Sequence, residues 1–313
     1  MHATVIRDNE LHWEEHDDPV PGDTELLVSV KAAGINSADL VQRLGFYPAP
    51  PGWPPDIPGM EMAGEVVAVG RSVTLFAPGD RVMALVGGGA QAELAFVDEM
   101  HALAVPDGLD WPEAGGFMEA FTTAHDALCT QAGLQIGERV LVSGAAGGVG
   151  TAGVQLAAAG GAHVTATVRK ADHREAVRAL GADVVIAPGD EGDHGPYDVV
   201  LELVGQASLG GVLPYLAPWS RVVVIGVGSG GRMEIDLMQL MTQRIRIGGT
   251  TLRSRTRQEK GGVVASMWAH VLPLLAAGRL RVPVAESFPL ERAEAAYERF
   301  GAGGKLGKVV LVA

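Results

Sequence analysis

Val140-Leu-Val-Ser-Gly-Ala-Ala-Gly-Gly-Val-Gly150, followed by Val164-Thr-Ala-Thr-Val-Arg-Lys170, decides how this chain is read. The first stretch begins as an apolar strand, breaks into a glycine-rich turn and opens an expected helix over Thr151–Ala159. In such a turn the backbone can approach a pyrophosphate, and the helix N-terminus offers free N–H groups and a partial positive charge. Gly144, Gly147 and Gly150 set the spacing, and Ala146, Gly148 and Val149 complete the candidate cradle. A strand before, a helix after and a second strand about twenty residues on are the context that a dinucleotide fingerprint requires. The end of the second strand is where such a site meets the adenosine ribose. An acidic residue there would accept the 2′-hydroxyl of NAD, but this chain has Arg169 and Lys170, with Arg174 close behind. A guanidinium pairs well with a 2′-phosphate and poorly with a hydroxyl. The stretch therefore predicts NADPH as the cofactor. For each cation the competing reading is a solvated charge at a strand end.

Composition narrows the alternatives. A length of 313 residues suggests two domains, and 47% hydrophobic against 19% charged residues is enough for a sizeable core. The net charge of −13 disfavours nucleic acid or an anionic membrane surface as partner. Cys129 is the one cysteine, which excludes a disulfide framework and any multi-cysteine zinc site. It falls in the apolar helical run Ala120–Ala132 and is expected to be a buried small hydrophobe. The N-terminus shows no signal-peptide pattern and no apolar run reaches membrane-spanning length, so a cytoplasmic location is expected.

Residues 1–120 read as short strands separated by turns such as Pro78-Gly-Asp80, a pattern that favours a partly open β-barrel. One short helix is expected from Ser37 to before Gly45, followed by a proline-rich loop, Tyr47–Pro58. Residues 121–256 alternate strands near 140–143, 164–168, 184–186, 198–201, 221–225 and 245–249 with helical crossovers, the signature of a doubly wound parallel sheet. Residues 257–313 carry a helix at 258–277, a strand at 284–288, a helix at 291–300 and a terminal strand at 308–312. They are expected to return to the first domain.

Several motifs carry a family resemblance: Asn36-Ser-Ala-Asp39, Gln42-Arg-Leu-Gly-Phe-Tyr-Pro-Ala-Pro-Pro-Gly52, Pro58-Gly-Met-Glu-Met-Ala-Gly-Glu-Val66, Gly79-Asp-Arg-Val82, Leu252-Arg-Ser-Arg255 and Gly307-Lys-Val-Val-Leu311. With these the chain resembles, over nearly its full length, the zinc-free quinone oxidoreductases of the medium-chain dehydrogenase/reductase superfamily. It is most similar to the tumour-suppressor-induced quinone oxidoreductase subgroup and its bacterial relatives. The resemblance implies an α/β fold made of a GroES-like catalytic barrel (1–120, completed by 257–313) and an NADPH-binding Rossmann domain (121–256). In zinc-dependent members a cysteine ligand matches Asn36 and a histidine matches Met60. An amide and a thioether are poor Zn²⁺ ligands, so no metal is expected.

Quinones and enones are already polarised acceptors, so the protein must hold the ring, exclude water and steady the developing oxyanion. Tyr47 is the leading candidate for the last task, since a phenol is protonated at neutral pH; its alternative is an aromatic that closes a loop. Asn36 is placed beside the nicotinamide or, equally, at a helix cap. Asp39 either shapes the substrate pocket or complements the helix dipole. Val204 and the Gly226-Val227-Gly228 run end strands that face the switch-point crevice, where backbone groups can reach a ligand. By resemblance Leu252, Arg253, Arg255 and Lys308 are candidate cofactor contacts, the competing reading being a basic turn after the edge strand, and Glu202 stands where relatives commonly have aspartate. The implied activity is NADPH-dependent hydride transfer to quinones. The alternatives are reduction of an enone or enoyl double bond and a non-catalytic NADPH-binding protein. A homodimer is expected, paired through an edge strand near 244–252.

Overall fold

Burial alternates along residues 25–32, as it must when one face of a strand meets a core and the other meets solvent, and the strand ends buried at Ala33 and Gly34. The computed structural model covers residues 1–313 and divides into two units, Met1–Thr122 with Leu252–Ala313, and Thr123–Thr251. Leu252–Arg255 therefore lies in the first unit, whereas the sequence grouped it with the nucleotide-binding segment.

In chain order the first unit begins with the hairpin β1 (His2–Arg7) and β2 (Glu10–Glu15), then β3 (Glu25–Gly34), helix α1 (Ser37–Arg43), β4 (Glu61–Val69), β5 (Arg81–Leu85), β6 (Leu94–Asp98) and β7 (Ala102–Ala104). Helices α2 (Trp111–Gly115) and α3 (Met118–His125) follow. The six-residue β2 and three-residue β7 escaped the sequence reading, β7 because it is too short for an alternating pattern. The long β3 is the spine of the barrel. One edge pairs with β4 over Leu26–Ala32, while the other pairs with β6 over Glu25–Ser29 and with the chain's last strand over Ala32–Gly34. Leu26, Val28, Val30, Met62, Val66, Val82 and Val97 fill the interior.

In the second unit β8 (Arg139–Val142), α4 (Gly148–Ala159), β9 (His163–Thr167), α5 (Arg174–Ala179), β10 (Val184–Ile186), β11 (Tyr197–Glu202), α6 (Gln206–Val212), β12 (Leu216–Val224), α7 (Leu237–Gln243) and β13 (Arg246–Gly249) follow in order; the six strands and α4–α6 are as expected, and α7 is an additional helix. All six strands run parallel in the order β10-β9-β8-β11-β12-β13, with the reversal between β8 and β11. Cys129 corrects an expectation: it is exposed. Asp126–Gln131 is a π-helix, closed by Ala132 N–H on Ala127 O at 2.9 Å. The wider turn rotates Cys129 off the apolar stripe that a regular helix would give it.

The chain then returns to the first unit through α8 (Arg257–His270), α9 (Leu272–Ala276), β14 (Val284–Pro289), α10 (Ala293–Gly301) and β15 (Lys308–Val312). The single helix expected over 258–277 is two, because Pro273 has no N–H to continue α8 and begins a new first turn instead. β15 lies between β14 and β3, so the last strand completes the barrel sheet. No helix is long and apolar enough to cross a membrane.

Candidate active site

In the second unit the glycine turn fills Ser143–Gly147 between β8 and α4. Gly144 N–H donates to Thr167 Oγ1 at 3.1 Å and Ala145 N–H to Thr167 O at 3.0 Å, which fastens the turn to the end of β9. A Cβ on Gly150 would stand 2.6 Å from Gly144 O and 2.7 Å from Ala145 Cα. Only glycine lets α4 start this close to the turn. Gly147 is the N-cap of α4 and supplies no side-chain cap, and the first turn holds no acidic residue. The leading N–H groups of Gly148, Val149 and Gly150 are thus left for an anion.

Arg169 and Lys170 follow β9 and are exposed, and the Arg169 guanidinium has no partner within the chain. Arg174 is half-buried, its Nε 3.4 Å from Val168 O. Across the switch point, Glu202 is fully buried and explains its own departure from aspartate. Its carboxylate accepts from Ser143 Oγ (2.8 Å), Val204 N–H (2.7 Å), Gly205 N–H (2.8 Å) and Ser208 Oγ (3.0 Å). Ser143 Oγ in turn accepts from Leu203 N–H at 2.7 Å. One carboxylate therefore fixes the loops after β8 and β11 together. Gly226 approaches the Leu203 carbonyl so closely that a Cβ would lie 2.2 Å from it, while Val227 and Gly228 are exposed beyond it. An uncapped helix start beside a glycine turn fits the pyrophosphate of a nicotinamide dinucleotide.

In the first unit Asn36, Asp39, Tyr47, Arg253 and Lys308 are built into one polar cluster, and most of their bonds are internal. Asn36 is the N-cap residue of α1. Its Nδ2 donates to Glu61 Oε1 at 2.9 Å, and its Oδ1 accepts from Lys308 Nζ at 2.7 Å. Lys308 Nζ also donates to Ile35 O (3.1 Å) and Glu61 Oε1 (2.5 Å). The Lys308–Glu61 pair is buried, with side chains 4% and 0% exposed. β3 makes room for it at Gly34, where a Cβ would fall 2.4 Å from Glu61 Oε1. Asp39 is buried and accepts from Asn36 N–H (2.8 Å) and Gly59 N–H (3.2 Å). Burial raises its pKa to about 6 against those two hydrogen bonds.

Arg253 is 4% exposed and spends its guanidinium on Gly87 O (2.8 Å), Tyr47 O (2.8 Å) and Gln42 Oε1 (2.5 Å). It also lies 5.1 Å from the centre of the Tyr47 ring. The arginine expected at the cofactor is thus the internal brace of the Tyr47 loop; Leu252 beside it is buried at 4%. The Tyr47 hydroxyl has no partner within the chain, and burial pushes its pKa above the usual phenol value. Sequence reasoning missed Glu61, Glu119 and Lys260. Glu61 sits inside the quoted Pro58–Val66 motif, where a charged residue on an inward strand position was the available signal.

Comparisons with known proteins agree with this arrangement. Residues 22–132 match the profile of the alcohol dehydrogenase GroES-like domain, and residues 148–269 match that of the zinc-binding dehydrogenases. The chain is 33% identical over 307 residues to a quinone oxidoreductase of Lama guanicoe, covering 94% of this chain and 90% of the relative. It is 32% identical over 307 residues to that of Homo sapiens, covering 94% and 91%. The crystal structure of a Pseudomonas syringae pv. Tomato DC3000 quinone oxidoreductase superposes with a TM-score of 0.87 at 29% identity, over 100% of this chain and 98% of that one. With a parallel sheet whose switch point carries the glycine turn, and a barrel closed by its last strand, the chain belongs to the quinone oxidoreductase family of the medium-chain dehydrogenase/reductase superfamily and is an oxidoreductase that works with a nicotinamide cofactor.

Proposed function

We propose that this chain reduces quinones with NADPH and without a bound metal. The observation that carries the reading is Arg169, an exposed guanidinium without an internal partner, just past the strand to which the glycine turn is fastened. A cation there matches a 2′-phosphate. Two features support the metal-free part. At the positions where the resemblance puts zinc ligands, Asn36 is bonded to Glu61 and Lys308, and Met60 is a buried thioether. Nor is any group of three His, Cys, Asp or Glu side chains arranged to hold a metal ion.

When bound, NADPH supplies a hydride. The chain's own residues then have to steady negative charge on the acceptor oxygen. Tyr47 does so as a hydrogen-bond donor: its raised pKa keeps the hydroxyl protonated, and Arg253 holds the loop that carries it. Asn36, oriented by Glu61 and Lys308, and Asp39, which holds Asn36 N–H, shape the same wall. Tyr47→Phe is expected to lower kcat about 10²-fold, as the loss of one oxyanion donor does, with NADPH affinity unchanged. Full turnover by this variant would remove the role. The reading as a whole is tested by NADPH and NADH oxidation against ortho-quinones, para-quinones and enones, with metal content measured on the same preparation. Preference for NADH, preference for enones or stoichiometric zinc would each overturn it.

The homodimer belongs to the same proposal. The outer edge of β13 pairs with no strand in the chain, and Leu237, Met238 and Met241 of α7 are 73%, 61% and 66% exposed. An open sheet edge and an apolar helix face are what a two-fold partner would cover. Light scattering is expected to give twice the mass of 32.5 kDa, and a monomer at micromolar concentration would discard the pairing.

A further inference from the structure

Glu119 opens α3 and is partly buried, yet its carboxyl group takes no hydrogen bond and no ion pair within the chain. Its backbone is firmly placed, because Glu119 N–H donates to Glu61 Oε2 at 2.8 Å, and the other Glu61 oxygen holds Asn36 and Lys308. Tyr47 is likewise anchored by its carbonyl and ring while its hydroxyl stays free. Hydrogen bonds tie both residues into one cluster, Glu119 through Glu61 to Asn36 at the start of α1 and Tyr47 through Arg253 to Gln42 further along α1. Burial and then charge on Glu119 raise the pKa of the Tyr47 hydroxyl. A desolvated carboxyl without a partner lowers stability, which is the mark of a residue kept for function.

We propose that Glu119 is the proton donor that completes quinone reduction, giving its carboxyl proton to the oxygen left negative by hydride transfer. The inference rests on the quinone-reduction reading above. Hydride arriving at the quinone leaves a hydroquinone monoanion. The Glu119 O–H bond then breaks, a new O–H bond forms on that oxyanion, and the electron pair remains on the carboxylate, which regains a proton from water. In sum, quinone, NADPH and one proton give hydroquinone and NADP⁺.

Acidity separates the two candidates. The conjugate acid of a phenolic oxyanion has a pKa of about 10, like free tyrosine. Burial lifts Tyr47 above that, so it can donate a hydrogen bond but has no driving force to release its proton. Glu119 is pushed up to about 8, first by burial and then by the negative charges of Glu61 and Asp39, against the pull of Lys308 and Lys260. Tyr47 and Arg253 are the other titratable groups within its reach. It is therefore protonated at neutral pH, and its acidity is close to the working pH, where general acids are most effective.

Glu119→Gln keeps the shape and removes the acid. Quinone kcat is expected to fall about 10²–10⁴-fold, with NADPH binding unchanged, and wild-type kcat should decline above about pH 8 in step with this carboxyl. A readout independent of turnover is the infrared carboxylic C=O band of the cofactor-free protein. Wild type minus variant should show it at neutral pH, and it should vanish with a midpoint near about 8. Glu119→Met is the reference if the glutamine variant does not fold. Glu119→Asp should restore part of kcat. Wild-type kcat in Glu119→Gln, or no such band at neutral pH, overturns the proposal and leaves quinone reduction standing. A wild-type protein that turns over no quinone overturns both.

Discussion

Replacing Lys308 by methionine is expected to destabilise the protein by about 3–5 kcal/mol, the cost of leaving one partner of a buried ion pair uncompensated. Lys308 Nζ is the cation that neutralises Glu61, at 2.5 Å with both side chains buried, so Lys308→Met strands a carboxylate inside the barrel. The midpoint of urea unfolding should fall accordingly, and kcat should fall as well, because Asn36 loses the donor that fixes its amide. The double variant Lys308→Met, Glu61→Leu sharpens the argument. Removing both charges should recover most of the stability. It cannot recover all of it, because Glu119 N–H loses its acceptor and an orphaned buried donor costs about 1–3 kcal/mol. If Lys308→Met unfolds at the wild-type urea concentration, the pair is not a structural anchor.

With the proposed 2′-phosphate recognition, removing the two cations after β9 should erase a preference for NADPH over NADH. A charge-assisted hydrogen bond contributes about 1.5–3 kcal/mol, and each 1.4 kcal/mol is about tenfold in affinity. Arg169→Ala with Lys170→Ala is therefore expected to weaken NADPH binding by about 10²-fold or more while NADH binding stays as it was. Calorimetric titration of both nucleotides measures this directly. Part of the wild-type preference should also fade with added salt, since both side chains are exposed and screening acts on exposed charges. An unchanged ratio of the two affinities in the variant would move 2′-phosphate recognition to other residues.

The two largest effects come from opposite ends of what could be read in advance. Arg169 and Lys170 lie a fixed step after a strand in a pattern that is local in sequence, so their place was legible. Lys308 was also singled out, but for the cofactor. The structure instead spends its ammonium on Glu61, Asn36 and the Ile35 carbonyl. Arg253 follows the same course, its guanidinium divided among Gly87, Tyr47 and Gln42. In both cases the residue type was informative and its partner was not. Glu119 escaped notice because nothing in its neighbourhood along the chain marks it; its environment comes from α1, β4, β15 and α8. Cys129 failed for a local reason, a π-helical turn that periodicity alone does not announce.

The amino-acid order determined by itself the alternation of strands and helices, the glycine turn and the cations that follow it, because turn chemistry, helix starts and face patterning act over a few residues. Only the folded chain decided which distant groups neutralise one another. Lys308 meets Glu61 across 247 positions, and Arg253 meets Gln42 across 211. Such pairs are set by which strands and helices come together around β3, and desolvation then makes each partner indispensable to the other.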